Sequence, residues 1–201
     1  MARRTRDPRT LAAALAGGAV ALMRTDTLPG LHGRADLDDA VSRILALKAR
    51  DADKPLLLLC DTPLRALEVG IFPSPAARAY AETCWPGPFT LILPATPAAP
   101  AAATRGADTV AVRVPGPQGL RDLVAAAGGP LVSTSVNRAG DAPLTDLADA
   151  VAFCGDAVDI VGEMTWDPDD TTPAGHASGL IDLSGWPPRV LRAGRVPPPE
   201  W

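Results

Sequence analysis

The chain has 201 residues, of which 47% are apolar and 21% are charged, as is typical of a globular protein with a real core. Its net charge of −4 and pI of about 5.1 exclude a protein that coats nucleic acid through a generally basic surface. The length suits one domain, so we expect a single domain over 1–201. Within it we expect a basic N-terminal arm over 1–8 and a Pro-rich tail over 196–201.

The predicted elements alternate between helix and strand along the chain. Hydrophobic periodicity and capping residues predict helices over 7–16, 37–49, 64–69, 75–84, 118–127 and 144–153. Short apolar runs predict strands over 19–23, 56–60, 89–93, 109–114, 131–135, 159–161, 180–183 and 189–191. Residues 24–30 are expected to form a polar turn. The alternation predicts an α/β protein, and the long loops over 94–107 and 162–179 are candidates for function.

Cysteine usage points to a reducing compartment. The three cysteines are widely spaced and form no C-x-x-C pair, so neither a disulfide framework nor a zinc site is expected, and the cytoplasm fits best. The basic N-terminus before the apolar run over 11–23 imitates a secretory signal, but Asp7 and the Gly17-Gly18 break favour a helix followed by a strand. No apolar stretch reaches the roughly 20 residues that span a bilayer, so no membrane association is predicted.

Residue types that are scarce in this chain mark candidate sites. The chain has 37 Ala and 22 Pro but only two Lys, which are Lys48 and Lys54, and one Asn, which is Asn137. Because Ala, Arg, Pro and Gly have replaced other types so widely, these positions are candidates for function. Chance is the alternative explanation.

The first candidate site is a cluster of cations where the predicted helix over 37–49 ends. Lys48, Arg50 and Lys54 fall within seven residues of one another, and such a cluster suits a polyphosphate. The alternative is a solvated helix end paired with Asp51 and Asp53. No glycine loop of the P-loop type is present.

Two further candidates follow predicted strands. The Ser133–Asn137 run and the Thr25-Asp26-Thr27 segment each stand where a strand ends, which is where ligands bind in open α/β sheets. Capping and turn roles are the alternative. The histidines, His32 and His176, are expected to be surface or turn residues, because no metal-ligand spacing and no nucleophile elbow accompanies them.

Seven segments together carry a family resemblance. In chain order they are TDTLPGL at 25–31, KAR at 48–50 followed by Lys54, WPGPFTL at 85–91, VRVP at 112–115, STSVN at 133–137, the Ser-containing strand at 178–182, and LRAG at 191–194. Over roughly residues 11–196 the chain resembles the YrdC family of threonylcarbamoyl-adenylate synthases.

The resemblance implies an enzyme, a nucleotidyltransferase, that joins L-threonine, bicarbonate and ATP into threonylcarbamoyl-AMP and pyrophosphate, with Mg²⁺ expected alongside ATP. A partner complex would then transfer the threonylcarbamoyl group to an adenosine in tRNA. The implied fold is a twisted, open, mixed α/β sheet with helices around a large concave cavity.

The resemblance also implies roles for individual residues. Lys48, Arg50, Lys54 and Arg192 would bind the nucleotide phosphates, with Lys48 and Arg50 essential for catalysis. Thr90, Ser135 and Asn137 would orient the nucleotide or the carbamate. Thr25, Arg113, Ser133 and Ser178 would hold threonine, with Arg113 facing its carboxylate.

The chain departs from the family pattern at several positions. Arg24 replaces a usual Pro, Pro29 an aromatic residue, and Leu59 a His found in some members, and Ser178-Gly179 replaces a Ser-Thr pair. These departures lie on the threonine side, so a divergent family enzyme with a different acceptor is one alternative. A non-catalytic RNA-binding or assembly module is the other, with the basic arm favouring direct tRNA binding and the acidic net charge opposing it.

Overall fold

The computed structural model describes residues 2–48, 56–137, 141–166 and 175–201. The described helices are α1 (Pro8–Ala16), α2 (Asp38–Lys48), α3 (Pro63–Val69), α4 (Pro75–Cys84), α5 (Ala101–Thr104), α6 (Gln118–Ala126) and α7 (Leu147–Cys154). The described strands are β1 (Arg3–Thr5), β2 (Ala21–Arg24), β3 (Pro29–Arg34), β4 (Leu57–Leu59), β5 (Phe89–Pro94), β6 (Thr109–Arg113), β7 (Leu131–Ser135), β8 (Ile160–Gly162), β9 (Gly179–Asp182) and β10 (Arg189–Arg192).

These strands form one open mixed sheet. Their order is β1-β8-β2-β3-β7-β4-β6-β5-β9-β10, with β1 and β10 at the edges. The β1–β8, β2–β8, β4–β6 and β5–β9 pairs are parallel, and the remaining neighbours are antiparallel. The predicted α/β class and mixed, open sheet are therefore confirmed.

Helix starts follow the capping chemistry of the sequence. The Asp7 carboxylate accepts hydrogen bonds from the backbone N–H groups of Arg9 and Thr10, and Pro8 occupies the first turn. Thr62 and Ser74 cap α3 and α4 in the same way, each followed by a proline. Local sequence thus determines where these helices begin.

The two faces of the sheet carry separate cores. On one face, residues such as Leu22, Leu58 and Val132 pack in a large buried cluster with Ile44 of α2. The other face buries Leu131 in a smaller cluster with residues of α1 and α6. Successive side chains of a strand point to opposite faces, so β7 supplies both clusters.

Strand β3 begins inside the turn predicted over 24–30, and the sequence did not predict this strand. Its sequence, PGLHGR, is poor in β-forming residues, but it pairs with β2 on one side and β7 on the other. A Cβ atom at Gly33 would lie 3.2 Å from Ala40 Cβ and 3.1 Å from Ile44 Cδ1. Close packing of α2 therefore favours a glycine at this position, and tertiary contacts outweigh local propensity.

The basic N-terminal arm is partly a strand. Residues Arg3–Thr5 form β1 and pair with β8 at the edge of the sheet. Arg4 and Arg6 lie 2.6 and 3.7 Å from the carboxylate of Glu163, so part of the arm's charge is neutralised. At the other end of the chain, Tyr80 donates a hydrogen bond to the Pro199 carbonyl at 3.3 Å.

Two further features complete the fold. The long loop predicted over 94–107 contains the short helix α5. None of the helices in the described parts of the chain is long and apolar enough to cross a membrane.

Candidate functional site

A cavity of about 240 Å³ opens on one face of the sheet. Most of the predicted site residues line it, and they come from the β2–β3 turn, β5, β6, β7, the segment before β9, and β10: Thr25, Thr90, Arg113, Ser133, Ser135, Ser178 and Arg192. The structure therefore brings together residues that are as far as 167 positions apart in the chain.

One end of the cavity is formed by the turn between β2 and β3. Thr25 Oγ1 donates to the Leu28 carbonyl at 3.1 Å and lies 3.0 Å from Thr27 Oγ1. Arg113 Nη1 donates to Thr27 Oγ1 at 2.8 Å, and Arg113 Nη2 lies 3.3 Å from Asp26 Oδ1. The turn thus holds the guanidinium of Arg113 in a fixed orientation.

Arg113 retains unused hydrogen-bonding capacity. The residue is only 1% exposed, and its Nε atom has no hydrogen-bond partner within the described residues. A buried guanidinium normally satisfies its donors, so an acceptor supplied by a ligand fits this position. A carboxylate is suited to a guanidinium because it can accept two parallel hydrogen bonds.

The other end of the cavity is held by Ser178 and its contacts. Thr90 Oγ1 lies 2.8 Å from Ser178 Oγ. Arg192 Nε donates to the Ser178 carbonyl at 3.1 Å, and Arg192 Nη2 lies 3.4 Å from Ser178 Oγ. These contacts connect β5, the start of β9 and β10 around one serine.

Two guanidinium groups affect each other across this cavity. Partial desolvation, followed by the positive charge of Arg113, lowers the pKa of Arg192. Like charges that share a cavity repel each other, and Asp26 offsets the charge of Arg113, whereas the contacts of Arg192 are with the neutral Ser178. The electrostatics therefore favour an anionic ligand.

Lys48 and Asn137 meet beside this cavity. Lys48 Nζ donates to the Ser135 carbonyl at 2.8 Å, to the Asn137 carbonyl at 3.2 Å and to Asn137 Oδ1 at 2.5 Å. Ser135 Oγ also donates to Asn137 Oδ1 at 2.9 Å. Lys48 is only 6% exposed, so the alternative of a solvated helix end is wrong for this residue. Arg50 and Lys54 lie outside the described residues.

A second cavity, of about 450 Å³, borders the same Lys48–Asn137 pair. Its other lining residues are Leu31, Leu47, Val136, Ala152, Phe153 and Cys154. Leu31 and Val136 point to the opposite face of the sheet from Ser133 and Ser135. Burial raises the pKa of the Cys154 thiol, which makes it a poor nucleophile.

The expectation that His32 is a surface or turn residue is wrong. His32 lies in β3 and is 0% exposed. Burial, followed by the charge of Arg113, lowers its pKa to about 3, so its imidazole is neutral. The error follows from the missed strand, because a histidine flanked by glycines is typical of a loop when no strand is recognised.

The departures from the family pattern have structural consequences here. Arg24 Nη2 donates to the Thr145 carbonyl at 3.2 Å, so its side chain reaches the segment before α7. At Gly179 a Cβ atom would lie 2.9 Å from Phe89 Cδ1, so a larger residue would require Phe89 to move. Leu59 is fully buried. Leu59 and Gly179 therefore bring no polar side chain to this region.

The mixed open sheet and the arginine-lined cavity with its hydroxyl groups define an α/β protein whose cavity is suited to a small anionic ligand. The model of the Sua5/YciO/YrdC family, described as "Telomere recombination", matches residues 13–194. The chain belongs to the Sua5/YciO/YrdC family, which confirms the resemblance noted in the sequence.

Two relatives of this chain are both named threonylcarbamoyl-AMP synthase. The chain is 36% identical over 182 residues to a threonylcarbamoyl-AMP synthase of Pyrococcus abyssi, covering 90% of this chain and 52% of that protein. It is 39% identical over 150 residues to a threonylcarbamoyl-AMP synthase of Chromohalobacter salexigens, covering 74% of this chain and 80% of that protein. The chain thus spans about half the length of the first relative and most of the second.

Solved structures share the fold. Pyrococcus abyssi Sua5 complexed with L-threonine superposes with a TM-score of 0.83 at 29% identity, covering 96% of this chain and 57% of that one. Escherichia coli YciO superposes with a TM-score of 0.82, covering 97% of each chain, at 20% identity. At 20% identity the similarity to YciO shows a shared fold and nothing more.

Proposed function

We propose that this chain is a threonylcarbamoyl-AMP synthase, a nucleotidyltransferase that joins L-threonine, bicarbonate and ATP and releases pyrophosphate. The observation that carries this proposal is the convergence of Arg113 and Arg192 on one hydroxyl-lined cavity. Both substrates that must meet, a carbamate and a nucleotide, are anions, and such a cavity favours anions. The names of relatives at 36% and 39% identity support the same activity.

The two ends of the cavity suit the two substrates. Arg113, fixed by the Thr25–Leu28 turn, is suited to the carboxylate of threonine, with Thr25 and Ser133 beside it. Arg192 and Thr90, gathered at Ser178, are suited to the phosphates. Lys48 and Asn137 hold the end of β7, so that Ser135 faces the ligand in a fixed position.

In the proposed reaction the amine of threonine and bicarbonate first condense to a carbamate with loss of water. A carbamate oxygen then attacks the α-phosphorus of ATP, and the bond from that phosphorus to the bridging oxygen of pyrophosphate breaks. None of the described residues needs to act as a covalent nucleophile in this scheme. Catalysis is positioning together with electrostatic stabilisation of the charge on the α-phosphate as the adenylyl group is transferred.

Mg²⁺ would enter with the nucleotide. The described residues contain no group of three His, Cys, Asp or Glu side chains that could hold a metal ion. Magnesium retains much of its water and binds through substrate phosphates with few protein ligands, so the described site is compatible with an ion carried by ATP. The ion would neutralise phosphate charge, while Arg192 orients the phosphates.

The test is an assay of pyrophosphate release from ATP with each substrate omitted in turn. The proposal predicts release that requires both L-threonine and bicarbonate. Release that is independent of threonine, or no release with all substrates present, would contradict it. An Arg192→Met variant serves as the inactive control, because it keeps the length of the side chain and removes the charge.

A family enzyme with another acceptor is a second candidate. It is favoured by Pro29, Leu59 and Gly179, none of which has a polar side chain, and Pro29 lines the cavity. A thermal-shift screen of the amino acids in the presence of ATP distinguishes the two. A larger shift with an amino acid other than threonine would favour the second candidate.

The wider setting of the enzyme also belongs to the proposal. We propose that residues 1–201 act as one domain in the cytoplasm and supply a tRNA-modifying threonylcarbamoyl-transferase complex. Direct tRNA binding has little support, because Arg4 and Arg6 both pair with Glu163. A salt-dependent filter-binding assay with tRNA tests this point.

A further inference from the structure

Strand β10 carries Arg192 to the cavity but is weakly held by its own contacts. It lies at the edge of the described sheet, where β9 is its one neighbouring strand. All four of its residues are exposed, including the apolar Val190 and Leu191. Segments with few buried apolar contacts open locally more readily than the rest of a fold. The orientation of Arg192 therefore depends on what holds the chain on either side of β10.

Tyr80 of α4 contacts the chain on both sides of β10. Trp186, in the connection before β10, packs edge-on against the Tyr80 ring, with ring centroids 6.4 Å apart. Trp201, beyond β10, packs edge-on against the same ring at 6.2 Å. The Tyr80 hydroxyl also donates to the Pro199 carbonyl at 3.3 Å. Tyr80, Trp186 and Trp201 thus form one aromatic clamp.

The clamp has a buried anchor and two exposed rings. Tyr80 is only 4% exposed and belongs to the large core cluster, so α4 holds it rigidly. Trp186 and Trp201 are 45% and 61% exposed. Edge-to-face packing is a preferred arrangement of aromatic rings and stabilises a pair beyond the area that it buries. The two tryptophans thereby attach both flanks of an exposed strand to the core of the protein.

We propose that the aromatic clamp positions Arg192 for ATP. With the clamp in place, β10 stays paired with β9, and Arg192 Nε keeps its 3.1 Å hydrogen bond to the Ser178 carbonyl. Without it, β10 would leave β9 for part of the time, and ATP would bind only the remaining fraction of molecules. The three clamp residues do not line the cavity, so they act through Arg192. This inference rests on the proposed function, which assigns the phosphates to Arg192.

The first test follows hydrogen exchange in the protein without substrates. The double variant Trp186→Ala/Trp201→Ala removes both edge-on contacts and leaves the buried Tyr80 in place. We expect the amides of β9 and β10 to exchange about 5- to 150-fold faster, as the loss of two aromatic pairs implies. Leu64→Ala, which removes an apolar side chain that is 75% exposed on α3, is the matched control and should leave this exchange unchanged.

The second test measures the affinities of ATP and L-threonine by calorimetry. In the double variant the dissociation constant for ATP should rise at least about threefold. The constant for L-threonine should stay unchanged, because the β2–β3 turn fixes Arg113 independently of β10. Trp186→Phe/Trp201→Phe retains two aromatic rings and should restore both the exchange rates and the ATP affinity.

Three outcomes overturn the inference. Exchange of β9 and β10 at the wild-type rate would show that the clamp does not hold the strand. Faster exchange with unchanged ATP affinity would show that Arg192 needs no clamp. A matched loss of ATP and threonine affinity would indicate a general structural role.

A single variant covers the case in which the double variant does not fold. Trp201→Ala removes one exposed ring and should change the exchange rates and the ATP affinity in the same direction by a smaller factor. Wild-type rates and affinity in this variant would overturn the inference as well. Wild-type protein that binds no ATP overturns the proposed function, and the exchange rates then still decide whether the clamp holds β10.

Discussion

Lys48 Nζ lies 2.5 Å from Asn137 Oδ1, so the single asparagine of the chain contacts one of its two lysines. The same ammonium group donates to the Ser135 carbonyl at 2.8 Å. Scarcity in the composition singled out these positions separately, and the structure unites them where β7 ends. Helix α2 is thereby anchored to the strand that carries Ser133 and Ser135 into the cavity.

The first prediction concerns Lys48→Met. The change removes a charged donor from partly buried oxygens of Ser135 and Asn137, which should cost about 1.5–3 kcal/mol of folding free energy. For a chain of this size the melting temperature should fall by roughly 3–12 °C. Calorimetry measures the shift. Arg78→Met, which breaks an exposed ion pair with Glu82 at 3.0 Å, is the control and should shift far less.

A melting temperature for Lys48→Met within about a degree of the wild-type value would show that the hydrogen bonds of Lys48 do not stabilise the fold. Asn137→Ala extends the test, because the two residues share one contact. The double variant should lose less stability than the sum of the single variants, as is general for residues in direct contact. Additive losses would indicate that the two side chains act separately.

The second prediction separates the two ends of the cavity. Arg113→Met removes the guanidinium that the Thr25–Leu28 turn orients, so the KM for threonine should rise about 10- to 150-fold, as expected for a lost charge-assisted hydrogen bond. The KM for ATP should change little. Steady-state kinetics with each substrate varied in turn measures both. Arg121→Met is the control, because Arg121 donates to the Pro115 carbonyl at 2.8 Å outside the cavity. Equal rises in both KM values would refute this division of the cavity.

The third prediction concerns Gly194, the glycine of the LRAG segment. A Cβ atom there would lie 2.5 Å from the backbone nitrogen of Gly179 and 3.0 Å from its Cα atom. Gly194→Ala must therefore displace the start of β9, and with it Ser178. We expect a lower melting temperature and a higher KM for ATP.

Gly185→Ala supplies a matched control, because a Cβ atom at Gly185 meets no described atom within 4 Å. This variant should melt at or slightly above the wild-type temperature, since alanine reduces the entropy of the unfolded chain. Identical behaviour of the two variants would mean that the contact between Gly194 and Gly179 is unimportant.

The fourth prediction is a pH dependence of stability. His32 has a pKa of about 3 in the folded state and 6.5 when free, so the unfolded chain binds one more proton over that interval. Stability should therefore fall as the pH drops from 6.5 towards 3, by up to about 1.4 kcal/mol per pH unit from this residue. Urea unfolding at several pH values measures the slope.

In His32→Phe this contribution disappears, so the stability curve should be flatter between pH 6 and about 4 than that of the wild type. Met23→Leu should keep the wild-type slope. Parallel curves for the wild type and His32→Phe would contradict the presence of a neutral, buried imidazole in the folded protein.

Much of the fold could be predicted because its signals are local. Asp7, Thr62 and Ser74 cap helices within a few residues of themselves, and β7 is a plain apolar run. β3 could not be predicted, because its glycines are required by α2 and β7, which lie elsewhere in the chain. β1 was missed for the same reason, since its pairing partner β8 is more than 150 residues away.

The candidate site likewise contains residues that the sequence predicts and residues whose surroundings it does not predict. Arg113, Ser133 and Arg192 were recognisable from motifs, and their meeting in one cavity agrees with the sheet order. Burial of Lys48 was not predictable, because a cation where a helix ends is typical of a solvated position. The burial of His32 was missed because it depends on the unrecognised strand β3.

The most direct test of the central claim follows the carbon of bicarbonate. The protein is incubated with ATP, L-threonine and ¹³C-bicarbonate, and the adenylate product is examined by mass spectrometry. We expect a mixed anhydride of AMP that contains both threonine and one ¹³C atom, formed together with pyrophosphate and strongly reduced in Arg113→Met at the same threonine concentration. An adenylate without the label, or one that forms in the absence of threonine, would contradict it.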